Sequence, residues 1–368
     1  MEEAVLRKFR FFEEFWKGEG PCPILFTEPH LAKGKPYLCH DLVEQHRDAE
    51  KQLEERLLEI EPHLDLIDDG IPTVRSDLGT TLLPSGLGLQ VELQPELHPW
   101  LAEHLSPEQY EKLEIPRNPQ DLLKNEMRFS RDFYSLFELR REEGRIPAGV
   151  YPYVPDTQGI FDLSHLIIGT DLLYLLNDRR EQVLAIQKQS LRLFLTATRF
   201  FKELLEEQST SMVHGHGMPI GVWFPDTGAR ISEDSATLIS AGMIRTFCLP
   251  FIRRAAQPFG RLFMHYCGYH PDFLRMVCEM REISTLNLGN PEMYDLEEVF
   301  TNCGRSATVY FGHLPLLDGE EGESYLERLA DLCGRRKTRL ILVSSYHPGG
   351  SEEKAALVER WHRLTRSA

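Results

Sequence analysis

A chain of 368 residues that is 42% apolar and 27% charged carries enough hydrophobic material for one large domain or two average ones. Its 41 basic against 57 acidic residues leave a formal charge of -16, which argues against a nucleic-acid surface and against anionic membrane as partners. Seven cysteines with no CxxC pair point to free thiols in a reducing, cytoplasmic setting, and no run approaches the ~18 apolar residues of a membrane span.

Met1 to Lys17 interleaves Phe11, Phe12, Phe15 and Trp16 with Glu, Lys and Arg. That pattern is too charged for a signal sequence and reads as an amphipathic docking helix. A short extended piece at Ile24–Thr27 follows, with Glu28 and His30 just beyond it as candidate mouth residues, and then a charged helix from about Asp41 to Ile60. Residues 1–68 are taken as a helical extension packed on a main domain of residues 69–368.

The next apolar segments are Ile71–Ser76, ending at Asp77, and Leu89–Leu93; a helix is expected over Asn118–Glu143. Beyond Gly149 the pattern becomes regular. Apolar runs at Val150–Val154, Ile220–Phe224, Leu262–His265, Thr285–Leu288, Ala307–Phe311 and Arg339–Val343 alternate with helices. The helices cover Arg179–Glu207, Ala241–Ala256, Pro271–Glu282, Glu323–Cys333 and Glu352–Arg363. Strands separated by helices of this length mean βαβ units and a parallel sheet. A count near eight favours a closed (β/α)₈ TIM barrel, and the absence of a dinucleotide fingerprint agrees. Working residues are then expected at the carboxyl ends of strands. That rule selects Asp156 and Gln158, the loop Asp226–Ser235, His265 and Cys267, Asn287 and Asn290, His313, and Ser344–His347.

Within that set His265-Tyr266-Cys267 carries the sharpest chemistry. Period-2 alternation puts His265 and Cys267 on one face, where imidazole and thiolate supply two of the three protein ligands of a catalytic zinc. On spacing alone an ordinary core pair is the commoner explanation. His214 and His216 also offer two imidazoles at i, i+2, between glycines that mark a loop. Glu233 and Asp234 are either catalytic carboxylates or helix caps.

The order Ile231-Ser232-Glu233-Asp234-Ser235, then Phe247-Cys248-Leu249-Pro250-Phe251, then His265-Tyr266-Cys267-Gly268 resembles the uroporphyrinogen decarboxylase superfamily over about Asp69–Arg363. The resemblance implies the barrel and two chemistries. One is cofactor-free decarboxylation of a tetrapyrrole; Ser76-Asp77 resembles the neighbourhood of that branch's pyrrole-binding aspartate, but its N-terminal arginine-glycine-arginine motif is absent. The other is zinc-dependent transfer of a methyl group from a corrinoid protein to a thiol, with ligands from H-x-C and a late cysteine. The chain is closer to this second branch. Its last strand runs into Ser344-Ser345-Tyr346-His347, so Tyr346 or His347 stands where the late cysteine is expected.

The resemblance thus implies zinc held by His265, Cys267 and His347, with Glu233, Asp234, Asp77 and Tyr346 as catalytic candidates. The implied partners are a small thiol or methylated substrate, a corrinoid protein and a second copy of the chain in a homodimer. A decarboxylase-like lyase and a non-catalytic barrel are the alternatives.

Overall fold

A computed structural model describes residues 1–27 and 37–366; Glu28 and His30 lie outside the described residues. Its strands are β1 (Ile24–Phe26), β2 (Ile71–Val74), β3 (Val91–Gln94), β4 (Leu97–Leu101), β5 (Tyr151–Pro152) and β6 (Met212–His214), followed by β7 (Ile220–Phe224), β8 (Thr227–Ser232), β9 (Arg261–Tyr266), β10 (Ile283–Leu288), β11 (Val309–His313) and β12 (Leu340–Ser344). The fold is mixed α/β. Six strands form one sheet in the order β1-β12-β11-β10-β9-β8, with every pairing parallel. Helices Pro271–Cys278, Leu296–Ser306 and Gly322–Arg336 make the crossovers that parallel neighbours require. Every residue of β10 and β12 is buried, as expected for a sheet covered on both faces.

A second sheet runs β5-β2-β7-β6. Here β2 pairs in parallel with β5, whereas β7 is antiparallel to both β2 and β6. Among the described residues no continuous ladder closes the expected eight-stranded ring, and the chemistry at the two seams shows why. Between β1 and β2 the one backbone bond is Asp69 N–H to Ile24 O, 3.1 Å. The Ile24 and Phe26 N–H groups donate instead to the carboxylates of Asp69 and Asp68, at 2.8 and 3.0 Å. Two side chains thereby take over from strand carbonyls. At the other seam the Arg230–Asp156 ion pair joins β8 to the segment after β5.

Three sequence expectations are corrected here. Ile220–Phe224 is a strand, but of an antiparallel hairpin rather than a βαβ unit. Thr227–Ser232, expected as loop, is a strand of the six-stranded sheet, and its pairing with β9 carries the segment toward the site. Val91–Gln94 pairs only with β4, in a separate hairpin.

Strand β1 belongs to the main sheet, and helix Glu2–Lys17 buries Val5, Phe12 and Phe15 in the common core. The Trp16 indole donates to Trp223 O at 2.7 Å, and the Arg339 guanidinium lies 3.9 Å from the Phe15 ring centroid, a cation–π contact. The helix expected over residues 41–60 divides at Asp48, whose carboxylate caps Ala49–Ile60 by accepting from Glu50 and Lys51 N–H.

Candidate metal centre and adjoining cavity

Strand β9 ends in His265-Tyr266, and alternation sends His265 inward and Tyr266 out toward Phe273 of the following helix. Asn287 lies opposite His265 in the β9–β10 register. Its Oδ1 is 2.5 Å from His265 Nδ1, and its own amide donates to Phe311 O at 2.8 Å. An amide fixed by that second bond presents only oxygen to the ring, so the proton is assigned to Nδ1 and the lone pair to Nε2. Nε2 then faces Cys267 Sγ at 3.4 Å and Asp234 Oδ1 at 3.7 Å.

The same Asp234 oxygen accepts the Cys267 N–H at 2.7 Å. Gly289 makes room for the thiol: a Cβ there would stand 2.3 Å from Sγ. Asp234, His265 and Cys267 are the only group of three such donors found together among the described residues, with their ligand atoms within 4.8 Å of one another.

Asp234 is placed by a reciprocal pair of caps. Glu233 is fully buried and accepts from the N–H groups of Ile160, Phe161 and Asp162 at the start of helix Ile160–Ile168. Asp162, in that helix, accepts in return from Asp234 and Ser235 N–H at 2.8 and 2.7 Å. The approach depends on Gly159, where a Cβ would come within 2.2 Å of Ser232 O. Burial, then the charge of Asp234, push the Asp162 carboxyl up to about 7. Burial and Asp162 raise Glu233 as well.

In the metal-free protein, burial and then Asp234 push the Cys267 thiol up to about 11, while burial and Arg230 lower His265. A neutral imidazole whose tautomer is set, a thiol and a carboxylate suit zinc, with Asn287 as the outer partner that orients the histidine. The zinc that the resemblance implies therefore fits these residues.

Beside the cluster lies a cavity of about 440 Å³, lined by residues that include Arg56, Arg75, Asp77, His98, His216 and His313. Asp77 meets Arg75 at 3.2 Å. Burial alone would raise its carboxyl, but Arg75 and Arg56 outweigh that and hold it well below the usual range. Burial pushes Glu59, on the same wall, up to about 7.

The sequence-predicted residues thus divide. His265, Cys267 and Asp234 come together; Asp77 lines the cavity; Glu233 is a buried helix cap. Tyr346 does not enter the metal cluster: its hydroxyl donates to Glu353 at 2.6 Å and its ring covers Gly322. His347 does not enter it either, since its Nδ1 lies 3.0 Å from Thr27 O and the ring is exposed. Asp234, from the loop after β8, stands in the group where a last-strand ligand was expected. Arg56 and Arg75 were not singled out from sequence, and Arg230 only as part of the loop Asp226–Ser235. Arg75 carries one usable signal, a charge at the end of the apolar strand Ile71–Val74.

No known protein-family profile and no curated protein sequence matches this chain. The fold does have a counterpart among solved structures. A methyltransferase from Methanosarcina mazei superposes with a TM-score of 0.63, covering 94% of each chain at 13% sequence identity. At that identity the likeness establishes shared architecture, and function has to be argued from the site.

Proposed function

We propose that the chain is a (β/α)₈ barrel of the uroporphyrinogen decarboxylase superfamily, with β1, β2, β5 and β8–β12 as its ring. We infer that it acts as a zinc-dependent methyltransferase moving a methyl group from a corrinoid protein to a small thiol. The observation that carries the reading is the Asp234–His265–Cys267 cluster with its histidine oriented by Asn287. The fold shared with a methyltransferase supports it, and seven free cysteines suit a reducing, cytoplasmic compartment.

In this reading Asp234, His265 and Cys267 hold the metal, and Asn287 keeps the His265 lone pair on the metal side. Zinc, when bound, supplies a Lewis acid that lets an acceptor thiol lose its proton near neutral pH. Arg56 and Arg75 give the cavity two cationic walls that would hold the polar end of the acceptor, while Asp77 keeps the Arg75 fork in place. Glu233 and Asp162 do no chemistry here; their caps hold Asp234 against Cys267.

The lyase reading draws support from Asp77 between two arginines, but it has no use for the metal donors. Metal analysis of protein purified without a histidine tag separates the two: about one zinc per chain is expected. Methyl transfer from methylcobalamin to a small anionic thiol is followed by thioether mass spectrometry. His265→Ala and Cys267→Ala should lower it more than about a hundredfold. Metal-free parent protein, or variants as active as the parent, would sink the proposal.

A further inference from the structure

Three donors leave one position of a tetrahedral zinc to be filled, and His216, which has been given no role so far, stands beside the cluster. His216 sits at the tip of the β6–β7 hairpin, between Gly215 and Gly217. Its ring centroid lies 4.4 Å from that of His265, at an interplanar angle of 50°, and 5.4 Å from that of Phe263. No hydrogen bond to either ring nitrogen is found among the described residues. By contrast, His265 Nδ1 is held by Asn287 and His347 Nδ1 by Thr27 O.

The backbone around His216 is specialised to put it there. His216 has φ of 51°, in the left-handed region, and Gly217 follows at 86°. At Gly215 a Cβ would lie 2.8 Å from both Ile220 O and Met218 O, so the tip is closed to larger residues. Strain held at a hairpin tip is the kind of outlier from which a role can be argued, and here it sets a half-buried ring against His265 with no protein partner for its nitrogens among the described residues. The neighbouring His214 has a buried Nε2 with no partner among the described residues, but its ring packs on Phe263 at 4.8 Å and Tyr153 at 5.5 Å, whereas that of His216 packs on His265.

We propose that His216 is the fourth protein donor to the metal at Asp234, His265 and Cys267, closing the site at rest and giving way to the acceptor that enters from the cavity His216 lines. The inference rests on the metal reading above, and adds to it a resting site of two imidazoles, one thiolate and one carboxylate. The ring nitrogens of His216 lie outside the 4.8 Å group of donor atoms, so ligation would need the ring to turn and the glycine-flanked tip to shift toward it. In the exchange the metal–nitrogen bond to His216 would break as a metal–sulfur bond to the acceptor formed, the acceptor's thiol proton leaving to water, with no redox change.

Zinc K-edge X-ray absorption on the substrate-free parent, which needs no variant, should fit one sulfur and two imidazoles; a fit with a single imidazole overturns the proposal. Competition with a chromogenic chelator should show His216→Asn, which tolerates the left-handed backbone, binding zinc about ten- to a hundredfold more weakly, with His214→Asn within about twofold of the parent. In the cobalt-substituted protein the visible d–d bands should shift between the parent and His216→Asn, as a water oxygen replaces the imidazole nitrogen. Unchanged affinity and an unchanged cobalt spectrum in His216→Asn, with binding abolished in His265→Ala, would overturn this proposal alone. If His265→Ala also binds normally, the metal reading falls with it.

Discussion

At the residue scale, the site turns on which proton sits where. The Cys267 thiol holds its proton up to about 11 without metal, so zinc must displace it. Apparent zinc affinity should therefore rise about tenfold per pH unit between roughly pH 6 and 8, as chelator competition at each pH would show. A pH-independent affinity would mean that Cys267 is not a ligand. Asn287→Ala should cost about ten- to a hundredfold in affinity without unfolding the chain, because it frees the His265 tautomer. Tyr346→Cys should gain nothing, since that side chain is turned to Glu353. His265 and Cys267 were legible in the sequence because alternation within a single strand fixes their common face. Asp234 was legible as a candidate carboxylate but not as a donor, because its place beside them rests on the β8–β9 pairing and on caps between segments about 70 residues apart.

At the element scale, the alternation of strand and helix gave the parallel sheet correctly from β9 onward, where each apolar run is followed by its own crossover. It failed at 220–232, since a hairpin strand and a sheet strand lie side by side with only Pro225 and Asp226 between them. Ile220–Phe224 is an apolar run that reads like a sheet strand, whereas Thr227–Ser232 carries Thr, Arg and Ser and offers no apolar run for periodicity to find. The acidic pair there also divides by element rather than by chemistry. Glu233 serves helix Ile160–Ile168 and Asp234 the cluster, so Glu233→Ala and Asp234→Ala should part company. Loss of three charge-assisted bonds at a helix start should cost Glu233→Ala about 2–3 kcal/mol of stability in urea unfolding. Asp234→Ala should show its larger effect in zinc binding. Equal effects in both assays would make the cap and the cluster one unit.

At the scale of the whole molecule, a chain of formal charge -16 becomes more self-repelling as pH rises, and buried acids add to that trend. Glu126, on helix Asn125–Glu142, is 9% exposed, accepts from Thr81 Oγ1 at 2.7 Å, and is pushed by burial up to about 7 from 4.5. For an acid whose folded pKa is raised, the folded state binds the extra proton in the window between those two values. Stability therefore falls as pH rises from about 4.5 to 7, and the loss is complete above that. Glutamine keeps an acceptor for Thr81 and carries no charge to bury, at the cost of an amide that needs its own partner. Glu126→Gln should thus lie about 1 kcal/mol below the parent at pH 5, where the unpaired amide costs more than the charge it removes, and exceed it by about 1–2 kcal/mol at pH 8. Taking the difference between variant and parent at each pH cancels the net-charge repulsion, which the two share apart from this one residue. Urea unfolding at the two pH values measures it, and a gain of the same size at both would assign the effect to packing rather than to the buried charge.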